Sequence, residues 1–299
     1  MAFTRRQAIL GTGLAGAGTI LAGRGVSAQA PRPSGRVVTK GRLKQSVSRW
    51  CYKDIPLPEF ARAVKEMGLT AIDLLQEDEW SVVRDLGLIC SMGYGGGGTI
   101  ADGLNNRANH DAIMKGLERS LPKAAQMGVP NVITFFGNRK GMPDQEGLDN
   151  CVIGLNRIKP IAESTGVTVA LEVLNSKVDH KDYLGDRSAY GFQVVKAVGS
   201  PKVKVLFDIY HMQIMEGDII RTIRGYPRPP AEPHHELICH YHTGGVPGRH
   251  ELDETQELQW RSVCAAIADT GFAGYVAHEF VPTRDPLTSL REAVALCDV

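Results

Sequence analysis

The 299-residue chain lacks several things, and each absence excludes a class of protein. Charge of one sign is not in excess: 34 Lys and Arg face 33 Asp and Glu, a formal net charge of +1. Such a chain has no basic field with which to hold nucleic acid or an anionic lipid surface. Long apolar runs are missing beyond the N-terminal leader, so no later segment reaches the roughly 20 apolar residues of a membrane span. Cys51, Cys90, Cys151, Cys239, Cys264 and Cys297 are scattered without a C-x-x-C pair, and a chain of this size needs no disulfide framework. Nucleotide-binding glycine fingerprints are also absent. Gly95-Gly96-Gly97-Gly98 follows a predicted strand but not the pattern of a phosphate loop, and it reads as a flexible lid rather than a loose turn. Hydrophobic residues make up 43%, which excludes a disordered chain.

Acids are missing from residues 1–30, which carry Arg5, Arg6 and Arg24. The twin arginine directly precedes an apolar stretch from Ala8 to Ala22, rich in Gly and Ala and too short to span a bilayer. Val26-Ser27-Ala28-Gln29-Ala30 then supplies small residues in an A-x-A pattern, with cleavage after Ala30. The leader resembles a twin-arginine (Tat) signal peptide, which implies export of a folded protein to the periplasm. Its removal turns the small positive charge slightly negative. The Pro-, Gly- and Arg-bearing segment 31–44 reads as a flexible linker, and 45–299 as one domain.

Short apolar runs alternate with longer helical patterns through that domain. The runs predict strands over 45–50, 70–75, 87–91, 131–136, 167–173, 203–208, 237–242 and 274–280. Helices are expected over 57–67, 78–85, 109–127, 145–165, 190–198, 217–225, 257–269 and 286–297. Asn109 and Asp111 open one of them, and Gly68, Gly128, Gly166 and Gly271 close others. Eight βα repeats fit a single-domain α/β fold, the (β/α)8 TIM barrel, better than an open sheet.

In such a barrel the active site lies at the C-terminal ends of the strands. The ends of the fifth to eighth predicted strands carry Glu172, Asp208, His242 and Glu279, each among apolar neighbours. One carboxylate in such a run could be a satisfied structural acid. Four polar residues at equivalent places of four consecutive units suit a divalent cation, Mn²⁺ or Mg²⁺, because buried carboxylates need pairing or metal. The absence of thiolates argues against structural zinc. His211, three residues after Asp208, and Arg249, in the loop after the seventh strand, are placed to bind oxygens of a small polar ligand. His250 and Glu251 read as support around them. His240 and His278, alternating with His242 and Glu279, read as structural or as support behind the site, and His234-His235, in a proline-rich stretch, as an exposed loop.

Three segments carry a family resemblance: Leu171-Glu172-Val173-Leu174-Asn175, Phe207-Asp208-Ile209-Tyr210-His211-Met212-Gln213 and Val246-Pro247-Gly248-Arg249-His250-Glu251. There the chain resembles the hydroxypyruvate isomerases, which are xylose-isomerase-like barrels, as are the tagatose and psicose 3-epimerases. The resemblance implies that Glu172 and Glu279 are the catalytic carboxylates, that Asp208 and His242 complete the metal set, and that His211 and Arg249 contact substrate. It departs at His242, where the hydroxypyruvate branch usually carries Gln and the 3-epimerases His. The implied reaction is metal-assisted proton transfer through an enediolate, most simply hydroxypyruvate to tartronate semialdehyde. A ketose 3-epimerase uses the same groups, and a non-catalytic exported carbohydrate-binding barrel would not need two bases. The expected partner is a small hydroxycarbonyl compound or sugar, with no nucleic acid and no membrane after processing. A homo-oligomer is left open.

Overall fold

The structure, a computed structural model, describes residues 35–225 and 234–299. The leader, with Arg5, Arg6 and the cleavage residue Ala30, lies outside the described residues, as do the prolines of 226–233.

Eight parallel strands follow one another as β1 (Lys44–Val47), β2 (Ala71–Ile72), β3 (Ile89–Cys90), β4 (Asn131–Phe135), β5 (Thr168–Val173), β6 (Val203–Asp208), β7 (Ile238–Thr243) and β8 (Tyr275–His278). The helices are α1 (Leu57–Met67), α2 (Trp80–Asp85), α3 (His110–Met127), α4 (Asp144–Thr165), α5 (Ser188–Val198), α6 (Ile209–Met215), α7 (Ile219–Arg224), α8 (Trp260–Asp269) and α9 (Pro286–Cys297). Six strands form a sheet in the order β1-β8-β7-β6-β5-β4, and β2 pairs with β3. Parallel bridges Ser48↔Asp73 and Gly93↔Val132 join the two sets and close the (β/α)8 barrel.

Burial on both faces explains the uninterrupted apolar runs. Every residue of β5 is buried, as a central parallel strand covered by helices requires. The helices show the complementary pattern: α1 buries Leu57, Phe60, Ala61, Val64 and Met67, one stripe at helical spacing. It ends at Gly68, whose φ of 98° belongs to the left-handed region and lets its N–H reach back to Lys65 O.

The structure corrects four expectations. From Val37 on, the segment expected as a flexible linker is fixed: Val38 and Leu43 are buried in the core, and Val37 N–H donates to Met67 O. The Asp298 carboxylate accepts from the Thr39, Lys40 and Gly41 amides, so backbone donors outweigh the composition that suggested a tether. The Gly95–Gly98 run is not a free lid. Thr134 Oγ1 donates to Gly97 O, and a Cβ on Gly97 would lie 2.2 Å from Ile133 O, so only glycine allows this approach to β4. Asn109 stands at the N-cap position of α3 with Asp111 in the first turn, as expected, but its side chain makes no cap: its amide donates to Gly103 O, and Asn106 caps the preceding 3-10 turn instead. His234 and His235 are half-buried in a short 3-10 helix, where the His234 ring packs on Phe192 at 4.7 Å.

Candidate functional site

Four strands deliver four polar side chains to one point. Glu172 projects from β5, Asp208 ends β6, His242 lies on β7, and Glu279 follows β8. Ligand atoms of all four lie within 4.8 Å of one another, and all four residues are buried. His242 Nδ1 is 2.6 Å from Glu279 Oε2, 3.4 Å from Glu172 Oε1 and 3.8 Å from Asp208 Oδ2.

Asp208 does two local jobs. Its φ and ψ are extended, and its Oδ1 accepts the His211 N–H, so it is the N-cap of α6. That cap starts a helix directly on the strand, one the sequence patterning did not predict, and it turns His211 back toward the site. The His211 ring is held between Asn175 Nδ2, 2.7 Å from Nδ1, and Arg249 Nη1, 2.9 Å from Nε2. Burial, then the Arg249 charge, push its imidazole well below the usual range, so it is a neutral hydrogen-bonding group.

Arg249 spans the cluster. Nη2 donates to Asp208 Oδ2 at 2.9 Å and to Glu279 Oε2 at 2.6 Å. Its guanidinium lies 4.9 Å from the Tyr210 ring centroid and 5.5 Å from that of Trp50. Arg249 adopts φ 58°, an uncommon conformation for a non-glycine residue and one that clusters at functional sites. All six site residues read from the sequence are therefore brought together.

Electrostatics divides the carboxylates. Burial pushes Glu172 up to about 7 and Asp208 up to about 6. Burial would raise Glu279 too, but Arg249 and then His242 hold it well below the usual carboxylate range, helped by Trp50 Nε1, which donates to Oε1 at 2.5 Å. His242 is raised against burial, first by Glu279. Two carboxyls that burial pushes toward neutrality are costly to ionise there unless further charge compensates them. Moreover, His242 Nδ1 is buried and makes no well-directed hydrogen bond despite three carboxylates around it. Three carboxylates and one imidazole nitrogen facing inward form a donor set that fits a hard divalent cation.

His250 and Glu251, expected as support around the site, tie its loops together. His250 Nδ1 lies 2.9 Å from Val281 O. Glu251 Oε1 accepts from Thr283 N and Ser289 Oγ, both at 2.8 Å, and Oε2 from Thr283 Oγ1 at 2.9 Å. Burial opposes its charge, but these donors win and hold Glu251 down to about 2. A depressed carboxylate stabilises the fold above its usual 4.5, and that contribution is lost as pH falls toward about 2. Glu251→Gln should therefore lower Tm by a few °C at pH 7, with a deficit that shrinks steadily below pH 4.5. Melting curves across that range check it, and a constant deficit would refute the latch.

Sequence reasoning missed Asp73 and Trp50. Asp73 follows β2 in the run Ala71-Ile72-Asp73-Leu74-Leu75, the same signal that marked Glu172 and Asp208. Reading the strand ends of the first half as closely as the second would have found it. Trp50 carried no such signal. His278 is structural as expected, its ring between Thr243 Oγ1 and Gln45 Oε1.

The sequence profile of the family described as xylose isomerase-like TIM barrel matches residues 42–298. A Xenopus laevis protein assigned by its name to the hydroxypyruvate isomerases is 24% identical over 185 residues, 60% of this chain. The chain spans 64% of that relative, under two thirds of its length. The D-psicose 3-epimerase of Agrobacterium fabrum is 29% identical over 219 residues, 67% of each chain. The solved 3-keto-D-glucoside 4-epimerase YcjR of E. coli shares the fold, with a TM-score of 0.69 at 19% identity over 85% of this chain and 98% of that one.

Proposed function

Because the chain belongs to the xylose isomerase-like TIM barrel family, we propose that it is a metal-assisted isomerase or epimerase of small hydroxycarbonyl compounds. Hydroxypyruvate, converted to tartronate semialdehyde, is the first candidate substrate. The observation that carries this reading is the convergence of Glu172, Asp208, His242 and Glu279 within 4.8 Å at the C-terminal mouth of the barrel. These four residues would hold the cation. Bound there, a divalent ion supplies Lewis-acid polarisation of a carbonyl oxygen.

The remaining chemistry belongs to the side chains. Arg249 and neutral His211 present N–H donors to substrate oxygens and orient them. One carboxylate of the Glu172 and Glu279 pair takes the carbon-bound proton, and a carboxylate returns a proton. Their environments differ, one carboxyl pushed up and the other held down, which is how a site separates acid and base roles. Return to the neighbouring carbon is isomerisation, and return to the opposite face of the same carbon is epimerisation. Epimerisation has its own support in His242, the residue of the 3-epimerase branch, and in the 29% identity to the psicose enzyme. The test is a product survey by NMR with hydroxypyruvate, ketohexoses and 3-keto-glycosides, with added Mn²⁺ or Mg²⁺. At least one substrate should turn over, and chelation should stop it. No product across the panel would favour a binding barrel.

Export to the periplasm through the Tat pathway is also proposed, on Arg5-Arg6 before a short apolar stretch and on Ala28-x-Ala30. Residues 1–35 fused to a folded reporter should carry it to the periplasm, and Arg5→Lys with Arg6→Lys should stop it. Equal passage without the arginines would refute Tat dependence. Among the described residues, no helix is long and apolar enough to cross a membrane.

A further inference from the structure

Beneath the cation-holding cluster lies a second group of buried polar side chains that the reaction does not use. Asp73 is its centre, completely shielded from solvent. Its Oδ2 is 2.9 Å from His242 Nε2, and its Oδ1 is 3.1 Å from His240 Nε2. Ser91 Oγ donates to Oδ1 at 2.7 Å, and Ser48 Oγ lies 3.4 Å from Oδ2. Ser46 Oγ, 2.6 Å from Ser91 Oγ, extends the chain of hydroxyls. The two imidazoles meet edge to face, with centroids 5.2 Å apart.

A bare aspartate in such a place is costly to bury. The arrangement gives its charge a reason. A carboxylate only accepts, so the ring nitrogen facing it must carry the proton. At His242 this puts hydrogen on Nε2 and leaves Nδ1 as the nitrogen facing Glu172, Asp208 and Glu279. The opposite tautomer would set an Nε2 lone pair against a carboxylate oxygen at 2.9 Å. Acceptor-to-acceptor contact at that distance, away from water, is strongly unfavourable.

We infer that Asp73 is a positioning residue of the cation site: it fixes the ring and tautomer of His242 so that Nδ1 is offered as a ligand. The inference rests on the reading of Glu172, Asp208, His242 and Glu279 as a cation site. His240 Nε2 lies near the same carboxylate at 3.1 Å but makes no well-directed hydrogen bond to it. Partners of this kind, one shell behind a ligating imidazole, typically contribute 10- to 100-fold in metal affinity.

The effect must pass through His242, and a double-mutant cycle isolates it. Mn²⁺ affinity is measured calorimetrically for the wild type, Asp73→Asn, His242→Gln and the double variant, with circular dichroism and Tm as controls. Asp73→Asn keeps the shape and removes the charge. It should weaken Mn²⁺ binding on the order of 10- to 100-fold. In the His242→Gln background it should change affinity by less than about twofold, because there is no imidazole left to orient. Wild-type affinity in Asp73→Asn, or an equal loss in both backgrounds, would overturn the inference.

A second measurement needs no substitution at Asp73. In ¹⁵N-histidine-labelled protein, NMR at pH 8 reports which ring nitrogen carries hydrogen, with His242→Gln assigning the signal. A protonated Nε2 is expected with and without Mg²⁺. An unprotonated Nε2 would overturn the inference even if Asp73→Asn failed to fold. A wild-type protein that binds no Mn²⁺ would instead defeat the cation-site reading, leaving the tautomer result to stand or fall alone.

Discussion

Glu172→Gln and Glu279→Gln are each expected to lower kcat by at least about 10³-fold while the barrel stays folded. Gln keeps the volume and one carbonyl oxygen but cannot take a proton at neutral pH, so the substitution tests basicity more than packing. General acid–base groups typically contribute on the order of 10²–10⁴-fold. These two also face the proposed cation, which places the losses in the upper part of that range. Arg249→Ala should differ in kind. It removes a donor proposed to orient ligand oxygens, and with it the ion pairs to Asp208 and Glu279. A mainly raised KM follows, with kcat reduced less than in either glutamate variant. If Glu279→Gln with metal bound kept more than about a tenth of kcat, the two-carboxylate proton transfer would be wrong.

Loss of a ligand is the second large effect. Asp208→Asn and His242→Ala should each weaken Mn²⁺ binding by more than about 100-fold, exceeding the usual effect of residues one shell behind a ligand. Asp208 carries an added consequence because it caps α6. Its Asn variant still accepts at the cap, since Asn and Asp rank together there, so helix stability should change little. His242→Ala leaves Asp73 facing a void, whereas His242→Gln can still offer an oxygen and should retain part of the affinity. Calorimetry on the three variants decides the matter. Unchanged affinity in all of them would mean that the cation, if bound, sits elsewhere.

The legible and the hidden parts of this protein differ by the range of the interactions that create them. Strands β5 to β8 announce themselves because burial on both faces leaves long apolar runs, and a lone Glu, Asp or His at the end of such a run stands out. The shorter β2 and β3 have two residues each in regular pairing, yet their apolar runs extend further, so the expected strands over 70–75 and 87–91 are longer than those formed. Local patterning also leaves α6 unseen, because what starts it is a side-chain cap supplied by Asp208 rather than an apolar stripe. The fixed course of residues 37–43 depends on Asp298, more than 250 residues away. Likewise Asp73 and His242, 169 residues apart, meet only once the barrel closes. Trp50 donates to Glu279 across 229 residues for the same reason. The six cysteines are free thiols, four of them buried, in keeping with their scatter.

Transfer of a carbon-bound proton of a hydroxycarbonyl substrate by paired carboxylates is the chemistry proposed at the mouth of this barrel. Its most direct test is turnover in D₂O with Mn²⁺, followed by NMR of the recovered substrate and product. Deuterium is expected at the carbon next to the carbonyl in at least one compound of the panel, and none with Glu279→Gln. Metal-loaded wild-type protein that forms product without taking up deuterium, or exchange that survives both Glu172→Gln and Glu279→Gln, would contradict it.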